Sequence, residues 1–318
     1  MRRLPRPSYK EKIMTTPRLA VLGSGLMGIG IAVHLARHGH AVRLQDVDPS
    51  RLAEVAATAR TLLAELEEAD IAVDTEAVIG RLTTTTELAD LADCDLLFEA
   101  VPERLELKHR LYAQLEAVLR PDALIASNTS GLPPDELAAH LRHPERLLIA
   151  HFWNPPHFIP LVELVPGTAT LPAHLESVRQ LLEAAALEAV VLQRAIPGFV
   201  GNRLQFALLR EALHIVQSGA ADAETVDRVM RASLGRRYAM VGPLEAADMG
   251  GLDTFRDIAS HLWPTLARDE APLQLLEDQV AAGRTGVRSG AGFYDWDAAR
   301  RERIVQRRLH QLRHALKP

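Results

Sequence analysis

Two residues in neighbouring apolar runs are equipped for proton transfer. His151 closes the run Leu147-Leu148-Ile149-Ala150, and Glu163 stands inside the next run, Leu161-Val162-Glu163-Leu164-Val165. Both runs read as strands, with the histidine at a strand end and the carboxylate within one. A carboxylate inside an apolar strand is costly unless it is paired. Facing each other, the two would form a base whose partner fixes the imidazole tautomer and compensates the imidazolium formed on proton uptake. Other histidines, among them His34, His38, His40 and His143, fall at helix ends and loops and read as structural.

A second constellation suits a dinucleotide. The apolar run from Leu19 to Leu22 breaks into Gly23-Ser24-Gly25-Leu26-Met27-Gly28, and a helical pattern follows from Ile29 to Arg37. In strand, Gly-x-Gly-x-x-Gly, helix, the first glycine permits the turn, the second lets the backbone approach a pyrophosphate, and the third lets helix and strand pack closely. The helix start offers free N–H groups to the phosphates. The next strand, Ala41 to Gln45, ends at Asp46, eighteen residues after Gly28. An acid there accepts from the adenosine ribose hydroxyls and repels a 2′-phosphate, which favours NAD over NADP; Arg43 on the same strand weakens that preference slightly. Gly23, Gly25, Leu26, Met27, Gly28 and Asp46 are therefore the candidate cofactor contacts.

The elements that must position these residues alternate. Helical spacing runs from Pro49 to Ile79, and β-branched residues from Thr83 to Thr86 suggest a short strand. Asp95 to Val101 reads as a buried strand, Leu107 to Leu119 as a helix stopped by Pro121, and Ala123 to Ala126 as a strand followed by polar Ser127-Asn128-Thr129-Ser130. Helices over 135–141 and 178–186 and a strand over 189–192 complete the series. Such alternation predicts an α/β fold: a Rossmann-type, doubly wound, mostly parallel sheet over residues 17–196, with ligands bound beyond the carboxyl ends of the strands. The pattern changes at Pro197-Gly198. Residues 197–299 read as an all-α C-terminal domain for substrate and dimerisation, and 300–318 as a basic helix or tail. The stretch from Asn202 to Val216 is apolar on more than one face, so it is buried by its own domain or by a partner, which predicts a homodimer through the C-terminal domain.

Composition prunes the alternatives. The chain has 318 residues and a net charge of −5, which points to neither nucleic acid nor an anionic membrane as partner. A lone cysteine, Cys94, excludes an intrachain disulfide and a cysteine metal cluster, so no metal site is expected and a reducing, cytoplasmic setting fits. No apolar run is long enough to span a membrane. Residues 1–16 are basic without a following apolar run and read as a disordered leader rather than a secretory signal.

In their order, the motifs resemble the L-3-hydroxyacyl-CoA dehydrogenase family, from Arg18 to about Asp297. They are the glycine loop, Val101-Pro102-Glu103 with Leu107-Lys108, Ser127-Asn128-Thr129-Ser130, His151-Phe152-Trp153-Asn154-Pro155 and Leu161-Val162-Glu163. Further on come Pro197-Gly198-Phe199-Val200-Gly201-Asn202-Arg203, Gly242-Pro243-Leu244 with Asp248, and Ser289 to Trp296. The resemblance implies that His151 and Glu163 are the catalytic dyad, and that Ser130 and Asn202 hold the substrate oxygen. It adds Glu103, Lys108 and Asn128 to the cofactor contacts. The implied reaction removes a hydride from the 3-hydroxyl carbon of a short L-3-hydroxyacyl-CoA, of the 3-hydroxybutyryl-CoA kind, to NAD, with a place in fatty acid metabolism. Related hydroxyacid dehydrogenases use a lysine as acid/base, but the only interior lysine here is Lys108.

The pattern departs from the family in the hairpin after the second strand. Members that bind coenzyme A tend to carry lysines there. Thr61 to Gly80 instead holds Glu65, Glu67, Glu68, Asp70, Asp74 and Glu76, with Arg51, Arg60 and Arg81 only at its flanks. Acidic charge repels a polyphosphate. Gly131 also replaces the second serine after Asn-Thr. The segments 154–160 and 235–239 look like a side branch acting on free small acids or alcohols such as L-gulonate, carnitine or pyridine carboxylates. That substrate class is the alternative. A further one is an NAD(H)-binding structural protein of the lens λ-crystallin kind.

Overall fold

The computed structural model describes residues 17–314; the expected leader and the last four residues of the expected tail lie outside the described residues. The chain divides between Phe199 and Val200 into two compact units.

The first unit is built on one eight-stranded sheet. Its strands are β1 (Leu19–Leu22), β2 (Val42–Gln45), β3 (Leu82–Thr85), β4 (Leu96–Glu99), β5 (Leu124–Ser127), β6 (Leu147–Phe152), β7 (Leu161–Pro166) and β8 (Glu188–Val191). They lie in the order β3-β2-β1-β4-β5-β6-β7-β8. Between them come α1 (Leu26–Arg37), α2 (Pro49–Glu68), α3 (Thr75–Gly80), α4 (Leu105–Val118), α5 (Pro134–Ala138) and α6 (Pro172–Ala184). Every residue of β1, β4, β5 and β6 is buried, as central strands of a sheet covered on both faces must be. On one face Tyr112 and Leu115 of α4 pack with Leu97, Ile125, Ile149 and Val165 from four successive strands. Each such burial contributes about 1.5–3 kcal/mol, so this layer holds the strand ends that carry the site.

Neighbouring strands run parallel except β6 and β7. The exception has a local cause. A parallel return needs a crossover of a dozen or more residues, and only residues 153–160 join β6 to β7. The chain therefore turns straight back.

The helical run expected from Pro49 to Ile79 is two helices. Asp70 adopts a left-handed φ of 60°, and the Asp74 carboxylate accepts from the Ala77 N–H to start α3. Aspartate is among the few non-glycine residues that visit this region readily. The helix expected over 135–141 is shorter, Pro134–Ala138.

The second unit is helical: α7 (Gly201–Gln217), α8 (Ala223–Ala232), α9 (Leu234–Arg237), α10 (Pro243–Gly250), α11 (Leu252–Leu262), α12 (Gln274–Ala281) and α13 (Ala298–His314). Its only strand-like pairings among the described residues are isolated bridges at Ala291. No described helix is long and apolar enough to cross a membrane.

Candidate active site

The reversal after β6 sets His151 directly opposite Glu163. Opposed residues of an antiparallel pair project to the same face with Cβ atoms about 4.5–5.5 Å apart, so these side chains must meet. His151 Nδ1 lies 2.9 Å from Glu163 Oε2. The residues are only 5% and 2% exposed. An ionised carboxylate can only accept, so Nδ1 carries the proton and donates it, which leaves Nε2 as the basic nitrogen. The Trp153 indole N–H reaches the same carboxylate oxygen at 3.4 Å. The rings of Trp153 and Phe199 stand 5.7 and 5.4 Å from the imidazole. Water-poor surroundings of this kind strengthen the attraction between a carboxylate and an imidazolium.

The polar segment after β5 is tied to this pair. Asn128 Oδ1 accepts from the Phe152 N–H at 2.8 Å, and the Asn128 N–H donates to the Glu99 carbonyl at 2.7 Å. Asn128 thus joins the ends of β4, β5 and β6. Ser130 is exposed. The N–H groups of Ser130 and Gly131 donate to Glu103 Oε1 at 3.1 and 3.2 Å, and the Thr129 hydroxyl donates to the same oxygen. Glu103 therefore closes the small loop that presents Ser130. Lys108 is buried beneath it: its ammonium lies 2.7 Å from Glu99 Oε1 and 3.4 Å from Glu103 Oε2, and its side chain is 1% exposed. Its nearest partner is the Glu99 carboxylate.

The glycine loop fits a dinucleotide. Gly23 has φ +91°, and a Cβ there would stand 2.7 Å from the Ala100 carbonyl oxygen. A Cβ on Gly28 would fall 1.8 Å from the Gly23 carbonyl oxygen, so any side chain would push α1 off β1. Around Gly25 a Cβ would meet nothing within 4 Å, which leaves backbone open to a close ligand. No side chain caps α1, so the N–H groups of its first turn, at exposed Leu26, half-buried Met27 and buried Gly28, stay available to an anion. Asp46 closes β2 and accepts from the Ser24 N–H, the Ser24 hydroxyl and the Asp48 N–H at 2.8, 2.8 and 3.0 Å. Burial pushes its carboxyl up, but these hydrogen bonds outweigh burial and hold it below the usual carboxylate value, so it remains an acceptor.

Two other expectations have a place in the structure. Asn202 lies in the first turn of α7, in the second unit. Cys94 is buried, and burial pushes its thiol up to about 11, so it is no nucleophile at neutral pH. Among the described residues no group of three or more histidines, cysteines or carboxylates is placed to hold a metal ion.

Sequence reasoning passed over Glu99, Tyr112, Ser127 and Trp153. A signal for Glu99 was present: it is a carboxylate ending the apolar run Leu96-Leu97-Phe98, and the solvation argument that singled out Glu163 applies to it equally.

The chain matches the NAD binding domain of 3-hydroxyacyl-CoA dehydrogenase over residues 18–195 and the C-terminal domain of 3-hydroxyacyl-CoA dehydrogenase over residues 198–296. It is 32% identical over 295 residues to 5-formyl-3-hydroxy-2-methylpyridine 4-carboxylate 5-dehydrogenase of Mesorhizobium japonicum, covering 92% of this chain and 95% of that protein. It is 37% identical over 287 residues to 3-hydroxybutyryl-CoA dehydrogenase of Bradyrhizobium diazoefficiens, covering 89% and 96%. A crystal structure of an NAD⁺-dependent dehydrogenase of the same pyridine carboxylate superposes with a TM-score of 0.86 at 32% identity, covering 94% of this chain and 96% of that one.

Proposed function

The chain belongs to the 3-hydroxyacyl-CoA dehydrogenase family, an NAD-dependent oxidoreductase acting on a CH–OH group, and on that premise we propose that His151 and Glu163 are its working acid/base pair. One observation carries this reading: a buried imidazole donates from Nδ1 to a buried carboxylate, which leaves Nε2 to take the hydroxyl proton. NAD, when bound, supplies the hydride acceptor. Glu163 fixes the tautomer beforehand and compensates the imidazolium afterwards. Ser130 holds the substrate oxygen, which fixes the alcohol in a reactive pose. Gly23, Gly25, Leu26, Met27, Gly28 and Asp46 hold the dinucleotide, and Glu103 and Asn128 shape the segment beside it. A purely structural role gives no reason to bury a histidine against an acid at the carboxyl edge of this sheet.

For the substrate, the hairpin favours a free small hydroxy acid or alcohol. Its flanking arginines are already engaged. Arg60 grips Glu76 through both terminal nitrogens, Arg51 lies 3.8 Å from Asp48, and Arg81 donates to the Ala36 carbonyl at 3.3 Å. The acidic residues around them then face an incoming polyphosphate with little cationic relief. The second reading is a short L-3-hydroxyacyl-CoA, favoured by the 3-hydroxybutyryl-CoA dehydrogenase relative. Initial rates with NAD separate the two. The first reading expects turnover of a free acid or alcohol from a panel of L-carnitine, L-gulonate, free L-3-hydroxybutyrate and a hydroxymethyl-pyridine carboxylate. Turnover confined to L-3-hydroxybutyryl-CoA establishes the second.

The second unit leaves Leu204, Phe206, Leu208 and Leu209 of α7 at 37–60% exposure and buries Leu213. We propose that a second copy covers this face in a homodimer. Sedimentation as a monomer at micromolar concentration would contradict it.

A further inference from the structure

Below the Ser130 loop lies a buried carboxylate that the proposed chemistry does not use. Glu99 is 0% exposed. Its oxygens accept from Lys108 Nζ at 2.7 and 2.9 Å, the Tyr112 hydroxyl at 2.6 Å, the Ser127 hydroxyl at 2.7 Å and the Val101 N–H at 2.9 Å. Lys108, Tyr112 and Ser127 are themselves no more than 1% exposed. Burial and the Glu99 charge push the Tyr112 phenol well above its ordinary value, so it stays a donor. An ammonium has three N–H donors. Here the acceptors around it are Glu99, the Ser127 hydroxyl at 3.5 Å and, on its outer side, Glu103 Oε2 at 3.4 Å.

We propose that Glu99, Lys108 and Tyr112 form a buried anchor that holds Glu103 against the backbone of residues 129–131, which makes Lys108 and Tyr112 positioning residues for the segment presenting Ser130. The chain of contacts is continuous: Tyr112 to Glu99, Glu99 to Lys108, Lys108 to Glu103, Glu103 to the Ser130 and Gly131 N–H groups. The Glu103 side chain is 45% exposed. A half-exposed glutamate loses rotamer freedom when it is held on one loop, a cost that its three loop hydrogen bonds and the buried cation together offset. A fixed cation beneath it selects the rotamer that caps the loop. A lysine suits this task, because its ammonium can donate to Glu99 and face Glu103 at once.

The consequence for substrate rests on the Ser130 role proposed above; the anchor itself is open to a test that needs no substrate. The experiment is amide hydrogen exchange on the full chain and its Tyr112→Phe, Lys108→Met and Glu103→Gln variants. The Ser130 and Gly131 amides lie on an exposed loop and both donate to Glu103, and the Gly131 N–H also reaches the Thr129 hydroxyl at 3.3 Å. Loss of one supporting hydrogen bond should speed their exchange about 2–10-fold in Tyr112→Phe. The increase should be larger in Lys108→Met and Glu103→Gln, with the amides of β1 and β6 unchanged in Tyr112→Phe. Tyr112→Phe keeps the ring and the packing, so it carries the test if Lys108→Met does not fold. Unchanged exchange at residues 130–131 in Tyr112→Phe while Glu103→Gln speeds it overturns the anchor. Equal acceleration across the sheet in Tyr112→Phe also overturns it, since that is general destabilisation. With any alcohol that is turned over, Tyr112→Phe should lower kcat and leave NADH affinity unchanged. If Ser130→Ala has wild-type kcat, the Ser130 role fails while the exchange result stands, so the two failures are distinct.

Discussion

Glu99 closes β4 and Glu163 stands within β7 opposite the carboxyl end of β6; both are buried in one sheet, and each has a nitrogen partner within 2.9 Å. Their partners separate them. Glu99 is paired with an ammonium, and that pair is closed further by Tyr112 and Ser127. An imidazole changes charge near neutrality, and His151 keeps one nitrogen beyond its pairing with Glu163. A buried pair of permanent charges can only fix a geometry. A buried pair in which one member exchanges a proton can do chemistry. Burial of a carboxylate therefore marks both kinds of place, and the partner tells them apart.

That contrast breaks most visibly at His151. His151→Ala should lower turnover about 10²–10⁴-fold while NADH affinity, followed by fluorescence titration, stays near wild type. Loss of both would make His151 structural and erase the difference. Stability should respond the other way. Glu99→Ala leaves the Lys108 ammonium buried without its main partner and should cost about 3–5 kcal/mol in urea unfolding. Glu163→Gln leaves an imidazole that can remain neutral, so it should cost no more than about 1.5 kcal/mol while depressing turnover. Equal destabilisation by the two substitutions would remove the distinction.

Asp46 offers an intermediate case, a buried acid whose proposed partner is a ligand. Asp46→Ala should raise the Michaelis constant for NAD about tenfold, the effect of one hydrogen bond to a charged group. An unchanged value removes its ribose role.

A histidine buried without an acid sharpens the comparison through pH alone. His34 Nε2 donates to the Ala185 carbonyl at 2.8 Å, and burial lowers its pKa from 6.5 to about 3. The unfolded chain then takes up a proton near pH 6.5 and the folded one only near pH 3. The stability this position contributes is full above pH 6.5 and falls as pH drops through that window, by up to about 1.4 kcal/mol per unit. Thermal unfolding at pH 7 and pH 5 should show this slope, and His34→Leu should flatten it. A slope unchanged in that variant would place the titration elsewhere.

Much of this was legible in the residues themselves. The glycine loop and Asp46 follow from local rules, because a turn, a close backbone approach and a helix start each restrict a few adjacent positions. The strand runs are equally legible, since strands buried on both faces must be apolar throughout. Glu163 was visible as a carboxylate where solvation forbids one without a partner. Glu99 gave the same signal in Leu96-Leu97-Phe98-Glu99, but its partners lie nine, thirteen and twenty-eight residues downstream, at Lys108, Tyr112 and Ser127. Nothing local joins them; they meet because α4 packs over β4 and β5.

The sequence by itself determined which residues can bind a dinucleotide and which can move a proton, because those capacities are properties of side chains and short spacings. Only the tertiary structure decided which acid serves which base. The eight-residue return from β6 sets His151 across from Glu163, and the packing of α4 gives Lys108 to Glu99. Strand register and helix placement are settled by burial over the whole unit, and no single stretch of chain contains that information.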